Sequence, residues 1–202
     1  MSRPAIDFYL EFASTYSYPA AMRIAALAEG AGVTVRWRPF LLGPIFKAQG
    51  WDNSPFNIYP AKGRYMWRDL DRICARLGLR FRRPDPFPQP SLLAARLAHV
   101  GLDEGWGERF CRAVYAAEFG EGRSIGDEGV MRDLLQGLGV AAEPALARAR
   151  SDEIKERLRA TTADAERHGV FGAPTFICAD GELFWGHDRM AEALAWAVRP
   201  PR

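Results

Sequence analysis

Phe8-Tyr9-Leu10-Glu11-Phe12-Ala13-Ser14-Thr15-Tyr16-Ser17-Tyr18-Pro19 reads as a buried strand that runs straight into a helix. The apolar and aromatic residues predict a strand over 5–12, closed by a turn of small residues. Ala21, Ile24, Ala25 and Leu27 then recur near helical spacing, which predicts a helix over 17–31 ended by Gly30 and Gly32. Residues 33–38 alternate as a second strand, stopped by Pro39. Strand, helix and strand in this order make a βαβ unit with a right-handed crossover. The turn between the first strand and the helix carries two hydroxyls, Ser14 and Ser17, three residues apart. Positive potential gathers at a helix N-terminus. A hydroxyl there can donate a hydrogen bond to a thiolate, yet the turn holds no sulfur of its own.

Outward from this unit the pattern changes. Residues 43–60 are rich in Gly, Pro and Asn and read as a loop. Residues 61–77 read as a helix, with Tyr65, Leu70, Ile73 and Leu77 near one face. Residues 80–90 hold four prolines and form no regular element. Helices are predicted over 91–100, 106–119, 129–138, 144–149 and 152–168, with Ser91, Asp127 and Ser151 as candidate N-caps. A loop over 169–174 leads into a short strand over 175–178. Asp180-Gly181 then signals a hairpin. Residues 182–185 return as a strand, and Gly186-His187-Asp188 opens a final helix over 189–198. Two α/β pieces, 1–43 and 166–202, thus make a core into which a helical domain, 44–165, is inserted.

The 202 residues are 48% hydrophobic and 26% charged, enough apolar side chain for a sizeable core. A net charge of +2 gives no pull toward nucleic acid or a membrane surface. No apolar run is long enough to span a membrane, and the N-terminus shows no signal-peptide pattern, so a cytoplasmic location is expected. Cys74, Cys111 and Cys178 lie far apart and read as reduced, buried thiols. His99, His168 and His187 have no metal-ligand spacing, and no metal is expected. Rossmann, P-loop and catalytic-triad patterns are absent from the sequence.

Three motifs together carry a resemblance: Ser14-Thr15-Tyr16-Ser17 at the first turn, Gly172-Ala173-Pro174-Thr175 before a strand, and Gly186-His187-Asp188-Arg189-Met190 at the last helix. The chain resembles the kappa-class glutathione transferases and the 2-hydroxychromene-2-carboxylate isomerases. These are DsbA-like members of the thioredoxin fold, an α/β core (βαβ plus ββα) with a large helical insertion. The resemblance implies glutathione as cofactor, with Ser14 hydrogen-bonded to its sulfur. The alternative for Ser14 is a helix N-cap alone, and Ser17 caps or packs. Pro174 matches a proline preceded by a cis bond, with Ala173 offering its backbone to the glutathione cysteinyl amide; a trans loop proline is the alternative. Tyr16, Asn53 and Lys62 match glutathione-contacting positions, Lys62 for the glycyl carboxylate, although Asn57 competes with Asn53 in this register. His187 would hold the γ-glutamyl carboxylate through its backbone and Asp188 would meet the ammonium. The alternative for Asp188 is an N-cap.

Tyr18, Trp51, Trp67 and Trp185 are candidates to line a pocket for a flat aromatic or electrophilic substrate. Arg64, Arg68 or Arg83 could hold a substrate carboxylate. Phe184-Trp185-Gly186-His187-Asp188-Arg189 is similar to the isomerase motif, so the expected activity is a glutathione-dependent isomerase of aromatic catabolism. The alternatives are a kappa-type transferase that conjugates an electrophile and a redox-inactive binding module. The resemblance also implies a homodimer.

Overall fold

The computed structural model describes residues 3–51 and 53–199. The ends of the expected core, residues 1–2 and 200–202, therefore lie outside the described residues. Strand β1 (Ala5–Leu10) pairs in parallel with β2 (Thr34–Pro39), from Ala5 opposite Thr34 to Leu10 opposite Pro39. On its other side β1 pairs antiparallel with β3 (Thr175–Cys178), which pairs antiparallel with β4 (Leu183–Trp185), for an order of β2-β1-β3-β4. Side chains alternate across a strand, and both faces of β1 are used. Ile6, Phe8 and Leu10 enter one buried cluster, Tyr9 a second. Phe8 stacks on Phe176 at 5.2 Å and meets the edge of Trp37 at 5.0 Å. Each such aromatic removed from water contributes on the order of 2 kcal/mol.

The helix expected over 17–31 is two helices, α1 (Ser17–Ala21) and α2 (Ile24–Ala31). At the break Arg23 N–H bonds to Ala20 O, a tighter i→i−3 pairing. Gly32 closes α2 in the left-handed conformation, φ 68°. The loop expected over 43–60 contains two helices, α3 (Leu42–Ala48) and α4 (Pro55–Ile58). Pro44 and Pro55 read as breakers in the sequence. Both lie in a first helical turn, where the missing N–H has no intrahelical partner to lose.

Helix α5 (Pro60–Leu77) follows at once, and Gly63 lets it lie against α4. The remaining helices are α6 (Leu92–Glu104), α7 (Gly107–Tyr115), α8 (Glu128–Gly137), α9 (Ala142–Ala149), α10 (Asp152–Arg167) and α11 (Met190–Ala197). A π-helical turn, Ala116–Gly120, continues α7. The expected caps Asp127 and Ser151 accept from Gly129 N and Ile154 N. Ser91 makes no such bond, because its hydroxyl lies against the Glu11 carboxyl instead.

The strands come from both ends of the chain and the intervening segment is helical. The two parts share one buried core. Phe12 packs on Tyr115 at 5.2 Å, and the Tyr115 hydroxyl donates to Glu11 O at 2.9 Å. The turn after β1 is thereby fastened to α7.

Candidate active site

The turn that leaves β1 is held by its own backbone. Ser14 N–H donates to Glu11 O, and Ser14 O accepts from Ser17 N. The Ser14 hydroxyl donates to Ala173 O at 2.7 Å. The Ala173–Pro174 bond is cis. The loop around it is braced by Thr175 Oγ1 donating to Gly172 O and Gly186 N–H donating to Pro174 O. Residues from opposite ends of the chain meet here, at the C-terminal end of β1. Helix α1 has only five residues before its break, so the dipole focused on this point is that of a short helix and smaller than a helix over 17–31 would supply.

A cavity of about 750 Å³ opens beside Ser14, a size suited to a small-molecule ligand. The turn residues Ala13 to Tyr16 and the loop residues Gly172 and Ala173 line one side. Leu42, Pro44 and Phe46 of the α3 segment, with Trp51, Asn53, Phe56 and Lys62, line another. Residues 87–92 close it, and Phe171 and Trp185 stand at its rim. The wall is mostly apolar. Phe46 packs on Trp51 at 5.7 Å and Phe171 on Trp185 at 5.0 Å. Gly172 permits this last wall, since a Cβ there would lie 2.5 Å from Trp185 Nε1.

Ser14, Tyr16, Asn53, Lys62 and Ala173 are thus brought to one cavity, with Trp51 and Trp185. Asn53 rather than Asn57 faces it. Asn57 stands behind, its Nδ2 donating to Asn53 Oδ1 at 3.0 Å and to Phe87 O at 3.3 Å. Lys62 Nζ lies 4.8 Å from the Tyr59 ring centroid. The Tyr16 hydroxyl donates to Asp69 at 3.1 Å, and burial together with that carboxylate raises its pKa. The Tyr16 ring also lies 5.7 Å from the His187 ring.

His187 and Asp188 are not among the described residues that line the cavity, although the His187 ring lies beside Tyr16, which does. Asp188 does not cap the last helix, whose cap position is Arg189. Its side chain is 64% exposed. Burial lowers the His187 pKa.

Five residues stand elsewhere than expected. Tyr18 is a core residue, stacked on Phe119 with its hydroxyl donating to Arg80 O at 2.8 Å. Trp67 lies one layer behind the wall, edge-on to Phe87 at 4.8 Å. Arg64 is exposed and does not line the cavity, and Arg68 pairs with Asp71 at 2.8 Å. Arg83 lies over the Trp67 ring at 4.8 Å.

The cavity's most unusual group escaped the sequence reading. Glu11 lines it, yet is only 6% exposed. Burial pushes its pKa up to about 7, tempered by the Ser91 hydroxyl and the backbone at Ala13 and Phe12. The available signal was a charge between two apolar residues, Leu10 and Phe12, at the end of a buried strand. Gln89 and Ser91 also line the cavity; Gln89 lies in the stretch whose prolines marked it only as irregular, and Ser91 was expected as a helix cap.

Cys74, Cys111 and Cys178 are buried, and burial raises each thiol pKa, Cys74 to about 11. None of them is among the described lining residues. Among the described residues no group of three or more His, Cys, Asp or Glu could hold a metal ion, and no helix is long and apolar enough to cross a membrane.

The chain is similar to known proteins over nearly its whole length. A family model described as DSBA-like thioredoxin domain matches residues 5–195. A 2-hydroxychromene-2-carboxylate isomerase from Sphingobium xenophagum is 30% identical over 187 residues, covering 92% of this chain and 93% of that protein. Glutathione S-transferase kappa 1 from Homo sapiens is 27% identical over 203 residues, covering 94% and 88%. The solved structure of a 2-hydroxychromene-2-carboxylate isomerase superposes with a TM-score of 0.85 at 26% identity, over 95% of this chain and 93% of that one.

Proposed function

This chain belongs to the DSBA-like thioredoxin-domain family, and on that premise we propose that it is a glutathione-dependent isomerase acting on a conjugated substrate. The isomerase and transferase relatives support the reading. The observation that carries it is the Ser14 hydroxyl 2.7 Å from Ala173 O, beside a cavity with no protein thiol among its described lining residues. Bound glutathione would supply a thiolate that adds reversibly to a conjugated carbon, so that the C=C bond becomes free to rotate.

The chain's residues fit such a guest. Ser14 swings its hydroxyl from Ala173 O to the sulfur and favours the ionised thiol. Ala173 O, released, accepts the cysteinyl N–H as a strand edge would. Lys62 holds the glycyl carboxylate, with Asn53 and Tyr16 beside it. The backbone at His187 and the carboxylate of Asp188 hold the γ-glutamyl end beyond Tyr16. Together they fix the sulfur's position, which is where the rate advantage arises.

Calorimetry with reduced glutathione tests the binding, and thiol accounting during turnover tests the reaction. Substrate converted in large excess over glutathione, with free thiol constant, is the result expected. One thiol lost per product would instead mark conjugation, the reaction of the kappa-type transferase. No binding at millimolar glutathione would leave a redox-inactive module.

A further inference from the structure

The described residues lining the cavity include two charged side chains, Glu11 and Lys62. Lys62 belongs to an exposed stretch of α5, whereas Glu11 is deeply buried. The arginines that could have received a substrate carboxylate are elsewhere: Arg68 is paired with Asp71, Arg83 lies over Trp67, and Arg64 is outside the lining.

Among the described residues Glu11 Oε1 has no hydrogen-bond partner. The titratable groups around Glu11 are Tyr115 of α7, whose hydroxyl is committed to Glu11 O, and Glu118 of the π-helical turn. Lys62 of α5 and Tyr16 of the turn share the cavity. The Glu118 oxygens are buried and without partners among the described residues, and burial raises the Glu118 pKa well above its usual value. Below about pH 7, then, the inner end of the cavity presents a mostly protonated carboxyl, which is a hydrogen-bond donor. A second carboxylate brought beside it would lose its water and gain no cation, a costly exchange. A carbonyl oxygen would gain a donor at little desolvation cost. The same cavity is lined by the flat, apolar side chains of Trp51, Phe56 and Phe87.

We propose that the inner compartment of this cavity takes an uncharged, flat carbonyl compound rather than a carboxylate, with the carbonyl oxygen accepting the proton of the Glu11 carboxyl. The inference rests on the proposed function only in assigning Lys62 to glutathione. It separates this chain from an enzyme whose substrate enters as an aromatic carboxylate.

The test uses the full chain without glutathione and two probes of similar shape: benzylideneacetone, an uncharged aromatic enone, and cinnamate. Calorimetry is run on the intact chain and on Lys62→Met, which removes the cation that could attract cinnamate. The enone should bind at least tenfold tighter than cinnamate in Lys62→Met. Its affinity for the intact chain should fall about tenfold from pH 6 to pH 8 as Glu11 ionises. In Glu11→Gln, whose amide still donates, binding should persist and the pH dependence vanish. Its carbonyl stretch should shift to lower frequency on binding to the intact chain.

Equal or tighter cinnamate binding in Lys62→Met overturns the proposal. So does an enone pH profile unchanged in Glu11→Gln, or no enone binding at all. A separate glutathione titration keeps the two readings apart. Absent glutathione binding with the enone pattern intact removes the glutathione reading alone. Intact glutathione binding with cinnamate preferred removes this one alone.

Discussion

Ser14 and Ala173, which lie 159 positions apart, are joined by a 2.7 Å hydrogen bond in which the serine hydroxyl donates to the alanine carbonyl. The same hydrogen atom is the one a bound thiolate would need. The bond keeps the two groups in register, and in the proposed reaction a bound tripeptide would take each of them. Ser14→Ala removes the donor and leaves the carbonyl free. Turnover should fall at least a hundredfold, with glutathione affinity changed by less than threefold. The thiolate absorbance of the bound tripeptide, followed against pH, should move to higher pH in the variant. An unmoved titration removes Ser14 from the chemistry.

Asp188 offers a gentler prediction. Its side chain is largely exposed and outside the cavity lining. An exposed ion pair contributes up to about 1 kcal/mol. Asp188→Ala should weaken glutathione binding up to about fivefold and leave the rate at saturation unchanged. A slower saturated rate with unchanged binding would show that the carboxylate does not serve the ammonium.

Gly63 lies against α4 so closely that a Cβ would sit 2.3 Å from Phe56 O, a backbone atom that cannot turn aside. Gly63→Ala should cost roughly 1–3 kcal/mol by overpacking, read as a lower denaturation midpoint. Because Lys62 is its neighbour, glutathione affinity should fall as well. A stable variant with native affinity would mean that α4 and α5 separate freely.

The buried Glu11 makes stability depend on pH in a stated direction. Its carboxyl is raised to about 7 in the folded chain from an ordinary value of 4.5. Between those two values the folded state binds more protons than the unfolded one, so stability falls as pH rises. The loss is on the order of 3 kcal/mol and is complete above about pH 7. The difference in unfolding free energy between the intact chain and Glu11→Gln, measured from pH 4 to pH 8, should follow that curve. A flat difference would mean that water reaches the carboxyl.

Much of the fold was legible because β1 and β3 are short strands rich in buried apolar and aromatic residues, bounded by turn signals. The hairpin cue at Asp180-Gly181 and the helix-spaced alanines completed the outline. Helices α3 and α4 were not legible, since Pro44 and Pro55 signal a breaker and a first helical turn equally well. At the site, Ser14, Lys62 and Ala173 lie in recognisable local motifs. Glu11 does not: its burial is created by Ser91, Tyr115 and Glu118, which approach from far along the chain. Tyr18 and Trp67 show the converse. An aromatic side chain carries no mark of whether it faces a void or a neighbour, and here Phe119 and Phe87 decided.

Ser14 and Ala173 are anchored by the sheet, while Trp51, Phe56 and residues 87–92 belong to the connections outside it. Pro88 and Leu92, exposed positions of that lining, can therefore be randomised as a library with the sheet-borne half of the site left intact. Such a collection would yield catalysts of altered selectivity from one unaltered scaffold.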